Sequence, residues 1–74
     1  MRRSTLTQRQ AEIASLLHQK LSNKMIASEL GISHFTVRNH ITILMLLLNV
    51  DARSRIPERA IDLGLINPPH PEPH

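Results

Sequence analysis

Ser22-Asn23-Lys24-Met25-Ile26-Ala27-Ser28-Glu29-Leu30-Gly31-Ile32-Ser33-His34-Phe35-Thr36-Val37-Arg38-Asn39-His40-Ile41 is the stretch whose reading decides the fold. Ser22 is an N-cap candidate, because a serine hydroxyl can accept a hydrogen bond from a first-turn amide that has no partner inside the helix. Met25, Ile26 and Leu30 follow as the apolar positions of a short helix. Gly31 ends that helix, since glycine enters the left-handed conformation that closes helices without steric cost. Ser33 then caps a second helix that starts at His34. Cap, short helix, glycine turn, cap and second helix form the helix-turn-helix layout over about residues 22–41. Ala27 supplies the small residue needed where two helices cross steeply, and Ile32 and Val37 plug the angle between them.

The second helix of this pair is expected to continue to about Leu48. At about 100° per residue, Val37, Ile41, Leu44 and Leu48 share one face, which should be core. Arg38, Asn39 and Thr42 project to the other side. An arginine can bond bidentately to guanine and an asparagine to adenine, so these side chains suit base edges in a major groove. In such a pair the first helix crosses the DNA backbone, with its N-terminal amides facing a phosphate, and the second lies in the groove.

Helices are expected on both sides of the motif. Upstream, Thr7 caps a segment running to about His18. Gln10 stands three residues on, as a capping box requires, and Ile13, Leu16 and Leu17 give one apolar stripe. Downstream, Ser54 is the cap candidate of a fourth helix. Pro57 sits in its first turn, Ala60, Ile61 and Leu63 form its buried side, and Gly64 is its end. The fold class expected is all-α: a compact four-helix domain over residues 1–66, followed by a flexible, disordered tail over 67–74. Four of the eight residues in that tail are prolines.

Composition narrows the partners. A chain of 74 residues makes one domain. The formal charge is +3, a modest basic excess that favours a polyanion. Phe35 is the lone aromatic, which argues against stacking of single-stranded bases and leaves double-stranded DNA as the better target. Cysteine is absent, so disulfides and thiolate metal sites are excluded, which fits a reducing cytoplasm, and no apolar run near 18 residues is present to span a membrane; for a chain that binds DNA the expected location is cytoplasmic and nucleoid-associated. No cofactor or metal is expected. His34 and His40 do not share a helix face, His18 sits at a helix end where the dipole favours it, and His70 and His74 fall in the tail. His40 is expected to pack within the motif or contact its backbone. No nucleophile–base pair, phosphate loop or paired carboxylates appear, so the chain is not expected to be an enzyme.

The strings Leu6-Thr7-Gln8-Arg9-Gln10, Leu21-Ser22-Asn23-Lys24-Met25-Ile26-Ala27, Gly31-Ile32-Ser33 and Thr36-Val37-Arg38-Asn39-His40-Ile41, with Arg53 beyond them, resemble the LuxR/NarL-type (GerE-like) DNA-binding domain over about Leu6 to Ile66. The resemblance implies a four-helix bacterial transcription regulator, usually a homodimer on DNA through its last helix. It places Arg38, Asn39 and Thr42 on base-reading positions. Lys24, Ser33 and Thr36 fall on positions of phosphate contact, and Asn23 and His34, beside them at the helix starts, complete the phosphate set. The chain departs from the family pattern at three places: Gln10 replaces a usual Glu, Leu47-Leu48 a usual Lys-Leu, and Lys20 a usual Gly. If the missing acid and base normally pair, their joint loss leaves no unpaired charge behind.

Ile43-Leu44-Met45-Leu46-Leu47-Leu48 is more apolar than groove binding needs. A helix apolar all round is normally buried, and a domain this small can hardly surround this one. Ile43, Leu46 and Leu47 are therefore expected to form an exposed patch that meets a second protein surface, either a second copy or a shielding domain. Ordinary packing of Leu47 against the first and fourth helices is the competing expectation. The chain is either a free-standing regulator or part of a longer protein, in which case an N-terminal regulatory domain is a further partner. An alternative function stays open: a helix-turn-helix scaffold turned to protein interaction through residues 43–48.

Overall fold

The computed structural model describes residues 6–67. Four helices follow one another: α1 (Gln8–His18), α2 (Asn23–Leu30), α3 (His34–Leu48) and α4 (Arg55–Asp62). No strand occurs among the described residues. The expectations for His70, His74 and residues 68–74 of the tail lie outside the described residues.

Three of the helices start as their cap residues dictate. The Thr7 hydroxyl accepts from the Gln10 amide at 3.1 Å, and the Gln10 side chain accepts from the Thr7 amide at 2.9 Å, so the capping box is closed in both directions. The Ser22 hydroxyl accepts from the Met25 amide at 3.1 Å, and Ser33 from that of Thr36 at 3.1 Å. Gly31 ends α2 with φ +69, and the Ile32 amide returns to the Ala27 carbonyl at 3.0 Å. Two other helix ends use left-handed residues that carry side chains: Lys20 after α1 (φ 63) and Asn49 after α3 (φ 57). Lys20 is thus a lysine in the conformation that the usual glycine adopts without steric cost.

The start of α4 corrects the sequence reading. Ser54 is already helical (φ −66, ψ −17) and makes no side-chain cap. Residues before it wind into tight turns whose carbonyls do the capping: the Arg55 amide donates to Ala52 at 3.0 Å and that of Ile56 to Arg53 at 3.1 Å. Pro57 has no amide to satisfy, so a serine cap would have little left to hold. The buried side of α4 also differs. Ile56, Pro57 and Ala60 are buried, Ile61 is half-buried and Leu63 is exposed. The helix stops at Asp62, so Leu63 lies past the core, and the Gly64 turn (φ +74) brings Ile66 back to fill it.

One apolar core joins the elements: Ile13, Ala14 and Leu17 from α1, Ile26 and Ala27 from α2, Ile56 and Ala60 from α4, and Ile66 after it. α3 contributes Val37, Ile41, Leu44 and Leu48, the face expected from its spacing. Each large side chain so buried contributes roughly 1.5–3 kcal/mol of transfer free energy. No polar or charged residue is buried among those described. α3 packs on all three other helices, and Arg59 of α4 ties its C-terminal end by donating from Nε to the Leu48 carbonyl at 3.2 Å. The outer face of α3 is therefore carried on a helix anchored from behind along its length.

Candidate nucleic-acid interface

Because the core claims one face of α3, geometry fixes what the opposite face presents. Phe35, Arg38, Asn39, Thr42 and Leu46 follow one another at helical spacing along it, and all five are exposed. The three side chains assigned to bases from sequence, Arg38, Asn39 and Thr42, thus come together on one outward stripe. An aromatic ring lies one turn before them and a leucine one turn after. Chemically, the stripe offers a bidentate donor, an amide that both donates and accepts, a hydroxyl, and two apolar ends.

The residues assigned to phosphates sit at two helix starts. Asn23 and Lys24 open α2, and Ser33, His34 and Thr36 surround the start of α3. Lys24 extends into solvent. Helix N-termini carry partial positive charge and outward-pointing amides, so both starts favour an anion. The Ser33 and Thr36 hydroxyls bond to each other at 3.0 Å while Ser33 also accepts the Thr36 amide. One hydroxyl proton of the pair is used between them, which leaves the other for an external oxygen. The His34 ring stacks on Phe35, with centroids 4.3 Å apart and planes at 30°.

Arg53, known from sequence only as part of the family pattern, has a definite place in this arrangement. Its guanidinium donates to Asn23 Oδ1 and, at 3.2 Å, to the Leu21 carbonyl. Arginine has donors only, so Asn23 must meet it with its oxygen and keeps its Nδ2 hydrogens for another acceptor. The loop before α4 is thereby fastened to the start of α2. Nothing local in the sequence signals a pairing across thirty positions. Arg53, Lys20 and Ser22, with Glu58 opposite, line an open groove of about 550 Å³ between the end of α1 and the start of α4. Phe35, the lone aromatic, also lies on the outward stripe, a placement that composition alone does not show.

The apolar end of α3 is open. Leu46 is 77% exposed, Leu47 58% and Ile43 44%, so Leu47 does not pack against α1 and α4 as the competing expectation had it. Met45 is half-buried at the edge of the core. His40 is half-buried, and its Nδ1 has no hydrogen-bond partner among the described residues. No cluster of three or more His, Cys, Asp or Glu with metal-binding geometry occurs there either. No helix of the described residues is long and apolar enough to cross a membrane.

Known proteins share this fold. The family model described as bacterial regulatory proteins, luxR family, matches residues 4–59. The spore germination protein GerE of Bacillus subtilis (strain 168) is 46% identical over 59 residues, which are 80% of each chain. The nitrate/nitrite response regulator protein NarP of Escherichia coli (strain K12) is 50% identical over 50 residues, 68% of this chain and 23% of the relative. The transcriptional regulatory protein DegU of Brevibacillus brevis is 34% identical over 61 residues, 82% of this chain and 26% of the relative. The chain therefore spans most of the first relative and about a quarter of the other two. Among solved structures, the transcription factor GerE superimposes with a TM-score of 0.80 at 42% identity, covering 88% of this chain and 97% of that one. The response regulator ChrA of a heme-sensing two-component system gives 0.81 at 36% identity, covering 89% of this chain and 33% of that one. These matches favour a transcription regulator over an interaction module built on the same scaffold. The family match over residues 4–59, the identity to GerE over 80% of both chains and the shared fold place this chain in the luxR family of bacterial regulatory proteins.

Proposed function

We propose that this chain is a sequence-specific duplex-DNA-binding regulator of transcription, acting by docking and not by catalysis. The observation that carries the reading is the outward stripe of α3, where Arg38, Asn39 and Thr42 are all exposed on a helix whose other face is core. Phosphate contacts from Asn23, Lys24, Ser33, His34 and Thr36 set the register, and the stripe selects bases. Such a role belongs in the cytoplasm with the nucleoid.

Two copies acting on DNA fit the same reading, with each domain taking one half-site. The exposed patch of Ile43, Leu46 and Leu47 is assigned to contact with a second protein surface, a second copy or an N-terminal regulatory domain of a longer chain.

The test is titration of a labelled random duplex at low and moderate salt, followed by selection of preferred sites from a random duplex pool. Salt-sensitive binding to random DNA and enrichment of one half-site are expected. Absence of binding at low salt would overturn the reading.

A further inference from the structure

We propose that Phe35 is a base-reading residue whose ring packs against the 5-methyl group of a thymine in the major groove. The inference rests on the DNA-binding reading and names a specificity contact within it. Phe35 is 62% exposed although it is the chain's lone aromatic and the core is apolar throughout. A single exposed apolar side chain is ordinary on a protein surface; its place is what gives this one a role. It stands three, four and seven positions before Arg38, Asn39 and Thr42, so all four lie on one line of α3. It belongs to the first turn, and N-terminal residues of a reading helix are the ones that meet base edges. The His34 ring stacked beside it limits the ring's freedom before any ligand arrives. Of the major-groove features, only the thymine methyl is apolar, and phenylalanine is among the side chains that match it. A ring held at that position distinguishes thymine from cytosine at a base pair the polar members of the stripe do not need to touch.

The experiment uses the duplex selected by the parent chain and a set of copies in which each thymine in turn becomes deoxyuridine, which removes the methyl and leaves every hydrogen-bonding group. For the parent, one position is expected to lose about three- to ten-fold in affinity, the range set by burying roughly one methyl group. Phe35→Ala is expected to bind the thymine and deoxyuridine forms of that position equally, while Phe35→Leu keeps part of the preference. Arg38→Ala is expected to stay sensitive to the methyl. Thermal unfolding of Phe35→Ala is expected to match the parent, because the ring is outside the core. Equal sensitivity of parent and Phe35→Ala to methyl removal would overturn the proposal and leave DNA binding standing, as would a parent indifferent at every thymine. A parent that binds no duplex overturns both.

Discussion

Lys20→Gly is expected to stabilise the domain, and the reason lies at the end of α1. Lys20 holds φ 63 there, with its amide bonded to the Leu17 carbonyl at 2.9 Å. A side chain in the left-handed region costs roughly 1–2 kcal/mol through the clash of Cβ with the following carbonyl. Glycine removes that cost but gives the unfolded chain more freedom, which returns about 0.4–1 kcal/mol. The two ranges leave a net gain centred near about 0.8 kcal/mol, or about 3–6 °C in melting temperature for a domain of this size. Urea unfolding followed by circular dichroism measures it. Two controls separate the causes. Lys20→Gln removes the charge and keeps the strain, so its stability is expected near that of the parent. Gln19→Gly relieves nothing, since Gln19 sits at φ −82, and is expected to lose roughly 0.4–1 kcal/mol. If Lys20→Gly is no more stable than the parent, or Lys20→Gln gains as much, the strain argument is wrong.

The remaining predictions concern the interface. Arg38→Ala is expected to cost about 1–3 kcal/mol on the preferred duplex and to relax preference at one base pair, read by competition with single-base variants; equal losses on preferred and random DNA would remove it from base reading. Lys24→Ala is expected to weaken binding to all duplexes alike and to flatten the log–log salt slope by about one, measured by titration over a salt series. Leu46→Lys combined with Leu47→Arg is expected to lower association between copies, followed by light scattering with and without duplex. Unchanged mass in both conditions would count against a second copy as the partner of that patch.

The sequence made the helix starts legible wherever one side chain did the capping, as at Thr7, Ser22 and Ser33. It misled at Ser54, where backbone carbonyls of the preceding turns satisfy the amides and the serine is merely one more helical residue. Periodicity identified the core face of α3 because fifteen residues give several turns to average over. In α4, only eight residues long, an early end at Asp62 was enough to leave Leu63 outside and let Ile66 take its place. The site followed the same division. The outward placement of Arg38, Asn39 and Thr42 was legible because it is set by the helix they share with the core. The Arg53–Asn23 contact was not, since it depends on how two distant segments meet. The exposure of Leu47 was undecidable from spacing alone, because a flank of a helix is buried or open according to the neighbours it receives.

The anchoring of α3 has an evolutionary consequence. Its four core residues hold the helix in place without help from the side chains on its outward stripe. Substitutions at exposed positions away from caps and networks typically change stability by no more than about 0.5 kcal/mol. If the proposed reading holds, the address recognised on DNA can be rewritten one residue at a time at the exposed positions 35, 38, 39 and 42 at little cost in stability. A scaffold built this way can diverge into regulators of many operators while its interior stays the same, because mutations that redirect it and mutations that would unfold it fall on opposite sides of one helix.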